Sequence, residues 1–174
     1  FCSSTNQRIL WTFCEATHQP TSSEGNSNMS IPNPASLIKG DGAPLPEVEQ
    51  MGTITLETLN QYHCQNPDRR MISLFGVVYD VTSSLKSYGP DGAYKEYAGH
   101  DITLALSKHK TDEKWLDRFV KMEEKWISDA KGWSGYFEVK YPVCAKLDKW
   151  DEDPESWPEL TQEELEAFNK CIIM

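Results

Sequence analysis

The stretch YGPDGAYKEYAGHD at residues 88–101 most restricts what this chain can fold into, because three tyrosines crowd around a turn. Gly89, Pro90 and Gly92 predict the turn, since proline presets its own φ and glycine tolerates close approach of other backbone. Tyrosine, glycine and proline are also ordinary turn residues, and a tyrosine at the mouth of a small fold often caps the core. The stretch is therefore either a loop that holds a ligand or a turn whose rings cover the interior.

The segment before this loop carries helix and hairpin signals. Thr55 predicts the N-cap of a helix, because apolar residues follow it at helical spacing. Two short runs rich in β-forming residues, 71–74 and 77–79, flank Phe75 and Gly76. That arrangement predicts a β-hairpin.

The segment after the loop mixes helix and strand patterns. Helices are predicted to begin at residues 94 and 102, and a longer helix is predicted over 112–126. The apolar stripe of this longer helix consists of Trp115, Leu116, Phe119, Met122 and Trp126. Apolar and polar residues alternate over 136–141, which predicts a strand with one exposed face. Because strands and helices do not alternate regularly, the predicted class is α+β, with the hairpin at the heart of a small sheet.

Length and charge divide the chain into one domain and two arms. A chain of 174 residues that is 39% apolar can bury one core, and residues 51–147 carry thirteen acidic and thirteen basic side chains. Residues 1–50 are rich in Ser, Pro, Asn and Gly, which predicts an extended polar N-terminal arm. Residues 148–174 carry nine acidic and two basic side chains and form a predicted acidic C-terminal arm. Thr161 and Glu164 have the capping-box spacing of a short helix within it.

The arms hold apolar residues that their own short segments cannot bury. Trp150 and Trp157 have the character of docking anchors. Ordering an arm costs about 1 to 2 kcal/mol per residue in conformational entropy, so an ordered arm needs another surface. We therefore predict that residues 1–50 and 148–174 contact other protein subunits more than they contact residues 51–147.

Several classes of function are disfavoured by the composition. A net charge of −10 without a basic stripe excludes nucleic acid as a partner. Asp80, Asp91 and Asp101 are better explained as turn or cap residues than as a catalytic pair. No apolar run approaches the roughly 18 residues that a membrane-spanning helix needs. The prediction is a protein that is not an enzyme and that has no transmembrane segment in this chain.

The cysteines and the first residue bear on location. Five cysteines lie far apart without a CxxC pair, and their odd number favours reduced thiols and an intracellular setting. The sequence begins with Phe1 rather than methionine. We therefore expect membrane association to be indirect or to depend on a segment that precedes Phe1.

Two motifs in order, FGVVYDVTSSLKSYGPDGAYKEYAGHD and GWSGYFEVKYPVCAKL, resemble the membrane-associated progesterone receptor family. The resemblance covers residues 53–147 and includes a late FEVKY segment that we interpret as a strand. It implies an α+β, cytochrome b5-like haem/steroid-binding domain with extended N- and C-terminal arms. The His-Pro-Gly-Gly loop that supplies an axial histidine in true cytochrome b5 is absent from the sequence.

The resemblance also implies the residues of a haem b site. The family counterpart of Tyr94 is the axial ligand to the haem iron, and the counterparts of Tyr88, Lys140 and Tyr141 bond to that tyrosine or to the haem edge and propionates. A phenol becomes a phenolate at neutral pH only where a ferric ion and a nearby donor stabilise the anion. Lys140 or the Tyr88 hydroxyl is the expected donor. His100 is either a substitute ligand or, more simply, a solvated loop residue.

Two functions remain open at this point. The first is a haem-binding module with a tyrosine ligand, associated with a membrane or organellar protein complex. The second is a haem-free accessory subunit of a large membrane complex, in which the domain is a scaffold. The ligand site that the resemblance implies holds haem, a sterol or nothing. The expected location is intracellular and membrane-associated, in the mitochondrion or another organelle, with the endoplasmic reticulum as an alternative.

Overall fold

The computed structural model describes residues 44–170, which fold around a mixed four-stranded sheet. The strands are β1 (Thr53–Ile54), β2 (Met71–Leu74), β3 (Val77–Asp80) and β4 (Val143–Leu147). Their order across the sheet is β1-β4-β3-β2, with β2 and β4 antiparallel to β3 and β1 parallel to β4. The predicted α+β class is confirmed.

The predicted hairpin is confirmed as β2 and β3. Phe75 and Gly76 form its turn with φ of 50° and 76°, and two positive φ values match the right-handed twist of the strands. The Phe75 N–H donates to Thr103 Oγ1 at 2.8 Å, which holds this strained residue in place. A Cβ at Gly76 would lie 2.6 Å from the Cβ of Trp150, so only glycine fits there.

Five helices are described together with this sheet, and three of them begin where the sequence predicted. They are α1 (Leu56–Asn60), α2 (Leu85–Tyr88), α3 (Thr103–Ser107), α4 (Glu124–Lys140) and α5 (Gln162–Asn169). Thr55 caps α1 by accepting the Thr58 N–H at 3.2 Å, and Thr161 and Glu164 form the predicted capping box of α5. The helix expected from residue 94 is a single 3-10 turn, Lys95–Tyr97.

The helix expected over 112–126 is wrong. Only Glu113–Trp115 forms a 3-10 turn, and α4 begins at Glu124. Asp117 has a φ of 54°, which interrupts a right-handed helix, and its carboxylate accepts a backbone N–H from the preceding loop at 2.7 Å. Leu116 is nevertheless buried. Tertiary packing of an irregular segment therefore buries the stripe that looked helical.

The strand expected over 136–141 is also wrong, because most of these residues form the last part of α4. The buried residues of this helix are Trp126, Ala130, Trp133 and Phe137, and their spacing is helical. A window of six residues with alternating polarity could not separate the two patterns. The strand that pairs with β3 starts after Pro142, at Val143.

The C-terminal segment, residues 148–170, packs on the domain. Phe168 of α5 is completely buried, and its ring lies 4.8 Å from that of Trp115 and 5.0 Å from that of Trp126. The Arg118 guanidinium is paired with a carboxylate of α5 at 2.7 Å. This segment therefore contributes to the core instead of forming an extended arm.

The Trp150 and Trp157 rings also lie within the domain. Their centroids are 4.9 Å apart in an edge-to-face contact, and Trp157 meets Phe119 at 5.4 Å. Trp150 Nε1 donates to the buried Asp101 carboxylate at 2.9 Å. The interpretation of both rings as anchors for a partner is therefore wrong, because they already pack against their own domain.

Residues 1–43 of the predicted N-terminal arm lie outside the described residues. The remaining part of that arm, residues 44–50, has no regular secondary structure. Cys144 is free and buried, as expected for a reduced thiol, whereas the same expectation is wrong for the disulfide-bonded Cys64. Among the helices described, none has the length and apolar character to cross a membrane.

Candidate functional site

The four residues predicted as a haem site lie together where α2, the loop that contains Tyr94 and the end of α4 meet. Tyr88 ends α2, and its ring centroid lies 6.4 Å from that of Tyr94 and 6.0 Å from that of Tyr141. Lys140 is the last residue of α4, and its Nζ lies 5.4 Å from the centroid of the Tyr141 ring. We call this group of four residues the tyrosine site.

Close backbone packing forms the loop that places Tyr94. The Tyr94 N–H donates to the Ser87 carbonyl at 2.8 Å, so the loop folds back on α2. A Cβ at Gly92 would lie 2.3 Å from the Ser87 carbonyl oxygen, and one at Gly89 would lie 2.5 Å from the Leu85 carbonyl oxygen. The turn itself therefore requires both glycines. This agrees with their prediction as turn residues, and no ligand is needed to explain them.

The phenols of Tyr88 and Tyr94 each have a raised pKa. Tyr88 is buried and Tyr94 is half-buried. Burial, and then the neighbouring phenol of Tyr141, raises the pKa of Tyr88 well above its ordinary value. Burial, and then the phenol of Tyr136, raises the pKa of Tyr94. Without a bound cation, both phenols are therefore protonated at neutral pH.

Tyr141 ties the tyrosine site to the domain core. Its side chain is 1% exposed, and its Oη lies 3.0 Å from Ser84 Oγ. Its ring packs against Phe137 of α4 at 5.4 Å as well as against Tyr88. Tyr141 therefore lies behind Tyr88 and supports it from the interior.

Tyr136 belongs beside this site, although the sequence-based prediction placed it on a strand. Lys140 Nζ donates to Tyr136 Oη at 2.5 Å and lies 5.0 Å from the centroid of that ring. Burial lowers the pKa of Lys140, but the hydrogen bond to Tyr136 and the phenols of Tyr136 and Tyr141 outweigh burial, so the pKa is raised. The structure thus pairs Lys140 with Tyr136, whereas the resemblance implied Tyr94, the haem edge or the propionates as its partner. The i, i+4 spacing of the pair on a helix is the signal that could have revealed it.

His100 and Asp101 have structural partners. His100 Nδ1 lies 2.7 Å from Asp117 Oδ2 and 3.3 Å from Asn60 Nδ2. The interpretation of His100 as a solvated loop residue is therefore wrong, because a half-buried network holds it. Asp101 is buried and accepts a hydrogen bond from Ser73 Oγ at 2.7 Å. It binds the loop to the sheet, in line with its interpretation as a turn or cap residue.

A groove of about 320 Å³ lies beside Asp80, another of the three aspartates that the sequence analysis weighed as catalytic residues. Arg69 Nε pairs with Asp80 Oδ2 at 2.7 Å, and a second Arg69 nitrogen donates to the Glu49 carbonyl at 2.8 Å. The lining of this groove includes no residue of the tyrosine site. Within residues 44–170, no group of three or more His, Cys, Asp or Glu is arranged to hold a metal ion.

The chemistry of the donors at the tyrosine site fits a ferric haem. A phenolate oxygen is a hard anionic ligand, which ferric iron prefers. Tyr94 is half-buried, whereas Tyr88 beside it and Tyr141 are buried. Lys140 is an exposed cation, which suits the carboxylates that haem carries.

Comparison with known proteins gives this site a context. The family model for a cytochrome b5-like haem/steroid binding domain matches residues 55–131. Membrane steroid-binding protein 1 of Arabidopsis thaliana is 33% identical over 123 residues, which are 70% of this chain and 56% of that protein. Probable steroid-binding protein 3 of the same plant is 33% identical over 53% of this chain and 95% of its own length.

A human relative and a solved structure agree with these matches. Membrane-associated progesterone receptor component 2 of Homo sapiens is 28% identical over 75% of this chain and 60% of its own length. A hypothetical protein of Arabidopsis thaliana, solved with a cytochrome b5 like fold, is 32% identical with a TM-score of 0.51 over 55% of this chain and 89% of that chain. The present chain spans about half the length of Membrane steroid-binding protein 1. The predicted fold is confirmed, and the chain belongs to the membrane-associated progesterone receptor family of cytochrome b5-like haem/steroid-binding proteins.

Proposed function

We propose that this chain binds haem b through Tyr94 and serves as a binding module, not an enzyme, in a membrane or organellar protein complex. The observation that carries this proposal is the arrangement of Tyr94 and Tyr88. The half-buried ring of Tyr94 lies 6.4 Å, centroid to centroid, from the ring of Tyr88, which is 6% exposed. The family model supports haem or steroid as the class of ligand.

Each residue of the tyrosine site has a role in this proposal. Ferric haem supplies a hard cation that stabilises a phenolate. Tyr94 provides the ligand oxygen, and Tyr88 limits how far water and the Tyr94 ring can move behind it. Lys140, with the Tyr136 hydroxyl beside it, offers a positive charge to a haem carboxylate.

Tyr94 must lose its phenol proton before its oxygen can bind a cation. Burial raises the pKa of Tyr94, so the phenol stays neutral until a cation competes for its oxygen. Ligation then releases this proton. The site therefore discriminates in favour of a ferric centre over neutral ligands that cannot displace a proton.

The experiment that tests the proposal is a hemin titration of the purified chain near neutral pH, followed by absorbance. We expect saturable binding with a high-spin ferric spectrum, and Tyr94→Phe should abolish it because the phenolate is lost. Tyr88→Phe is the matched variant and should weaken binding by about fivefold, since it removes one neutral hydroxyl. Equal binding by the wild type and Tyr94→Phe would refute the ligand assignment.

A steroid is the second candidate for the same site. The printed names of two relatives, Membrane steroid-binding protein 1 and Probable steroid-binding protein 3, favour it. A steroid has no need of a phenolate, so Tyr94→Phe should leave its binding nearly unchanged. Titration with progesterone, read by tryptophan fluorescence, separates this candidate from haem.

Association with a membrane and with other proteins completes the proposal. Two of the relatives carry the word membrane in their names. Residues 148–174 carry nine acidic side chains against two basic ones, and many of these acids are exposed. These exposed acidic side chains, and not Trp150 and Trp157, form the surface of this segment that we propose for protein partners.

A further inference from the structure

Tyr97 packs against Tyr94 from within the domain. It lies in the 3-10 turn Lys95–Tyr97 and is 4% exposed. Its ring and that of Tyr94 are stacked, with centroids 5.9 Å apart and an angle of 20° between planes. Tyr94 is the outer ring of this stack, and Tyr97 is the inner one.

A hydrogen bond fixes the inner ring. Tyr97 Oη donates to the Lys110 carbonyl oxygen at 2.8 Å. With its hydroxyl bound and its ring enclosed, Tyr97 presents one fixed surface to Tyr94. Its orientation therefore depends on where the Lys110 backbone lies.

The C-terminal segment holds Lys110 in turn. Lys110 is 8% exposed, and its Nζ donates to the Lys170 carbonyl oxygen at 2.8 Å, at the C-terminal end of α5. A cation at this end of a helix also meets a favourable dipole. Phe168, two residues earlier, anchors α5 to the core, and α5 lies beyond the residues that the family model matches. Contacts thus run without interruption from α5 through Lys110 and Tyr97 to Tyr94.

We propose that Tyr97 is a positioning residue for Tyr94, and that α5 is part of the tyrosine site because it holds Tyr97 through Lys110. The physical reason is preorganisation. A phenol stacked on a fixed ring has less rotational freedom to lose when its oxygen ligates iron. Only the hemin measurement of this inference rests on the proposed function, since the order of the Tyr94 ring is a property of the chain without any ligand.

The test uses the full chain with single substitutions at the inner ring and its anchor. Tyr97→Phe keeps the ring and removes the hydroxyl, Tyr97→Leu removes the ring, and Lys110→Met removes the ammonium while keeping a long apolar side chain. Tyr79→Phe is the matched control, because Tyr79 is equally buried and its ring contacts Phe137 on α4.

Two measurements are made on each variant. The first is the NMR ring relaxation of Tyr94 without any ligand. We expect more motion of this ring in Tyr97→Leu, and smaller increases in Tyr97→Phe and Lys110→Met. The second is hemin affinity, which should fall in Tyr97→Phe by at most about fivefold, because that factor corresponds to the whole of one neutral hydrogen bond.

The outcomes separate this inference from the proposed function. A mere loss of stability lowers the melting temperature without increasing the motion of the Tyr94 ring in the folded protein, and that result would overturn the inference. Unchanged Tyr94 motion in Tyr97→Leu would overturn it as well. If Tyr94→Phe binds hemin as the wild type does, the proposed function fails, and the ligand-free NMR data alone decide the role of Tyr97. A Tyr79→Phe variant that matches the wild type in both measurements completes the support.

Discussion

Lys140 and Tyr136 form the closest polar contact beside the tyrosine site, with Nζ 2.5 Å from Oη across one turn of α4. The same ammonium lies 5.0 Å from the Tyr136 ring centroid and 5.4 Å from that of Tyr141. The only charge that the sequence predicted for this site is therefore already shared by two phenols. Any anionic ligand must compete with them or bind alongside them.

We expect Tyr136→Phe to lower the pKa of Lys140. Burial already acts in that direction, and the hydrogen bond from Lys140 to Tyr136 is the largest of the effects that oppose it. Methyl-labelled lysine NMR across alkaline pH measures the midpoint directly. Tyr62→Phe is the control, because Tyr62 packs against the apolar cluster that includes Leu59 and Met71, and it should leave that midpoint unchanged. A Tyr136→Phe variant with the wild-type midpoint would show that the pair is not formed in solution.

Hemin affinity should rise with pH, by at most about tenfold per unit, because ligation requires the Tyr94 oxygen to lose its proton. The rise should continue until pH reaches the raised pKa of free Tyr94, which burial places above the ordinary value of about 10. Titrations at several pH values in one buffer series measure the slope. A flat profile would contradict a phenolate ligand.

Alkaline pH should destabilise the fold through its buried phenols. All seven tyrosines lie within the described residues, and burial raises the pKa of Tyr79 to about 12 and that of Tyr88 and Tyr97 as well. Because their pKa values are higher in the folded chain, the stabilisation is complete below about pH 10 and is lost as pH rises through the folded values. Absorbance at the tyrosinate band should show a delayed group of phenols that titrates together with unfolding. Simple titration of all seven phenols near pH 10 would contradict the burial.

Phe168→Ala should lower the free energy of unfolding by about 3 to 5 kcal/mol, the usual effect of removing a fully buried phenylalanine ring. The ring lies between Trp115 and Trp126, and neither can refill its space without moving. Chemical denaturation measures the change. Phe168→Leu keeps most of the volume and should be markedly less damaging, and equal effects from both substitutions would argue against specific packing there.

Limited proteolysis offers a second check on the same segment. The sequence predicts residues 148–174 as an arm that packs on other subunits, and a protease would remove such an arm from the free chain. Since Trp157 and Phe168 are buried against the domain, we now expect protection up to about the end of α5 at Asn169. Rapid cleavage within 148–169 in the wild type would restore the earlier expectation of a free arm.

Much of the fold could be predicted from local patterns in the sequence. The β2–β3 hairpin, the Thr55 cap and the capping box of α5 depend on residues close to one another in the chain, and all were predicted correctly. The family motifs also indicated the cytochrome b5-like fold and brought together Tyr88, Tyr94, Lys140 and Tyr141, which the structure places in one group.

Only the tertiary structure decided the remaining features. Asp117 ends the predicted helix because its carboxylate meets a backbone N–H from a loop 16 residues away. Tyr136 pairs with Lys140 because the segment is helical, which six alternating residues did not reveal. Trp150 and Trp157 looked like docking anchors because no local pattern shows which distant rings will pack against them.

The physical reason is the range of the interactions involved. Turns, caps and hairpins follow from backbone preferences over a few residues, so the sequence by itself determined them for this chain. The burial of α5, and with it the contacts from Lys170 through Lys110 and Tyr97 to Tyr94, joins segments that are far apart in sequence. Their packing depends on the shape of the assembled core, which only the folded chain defines.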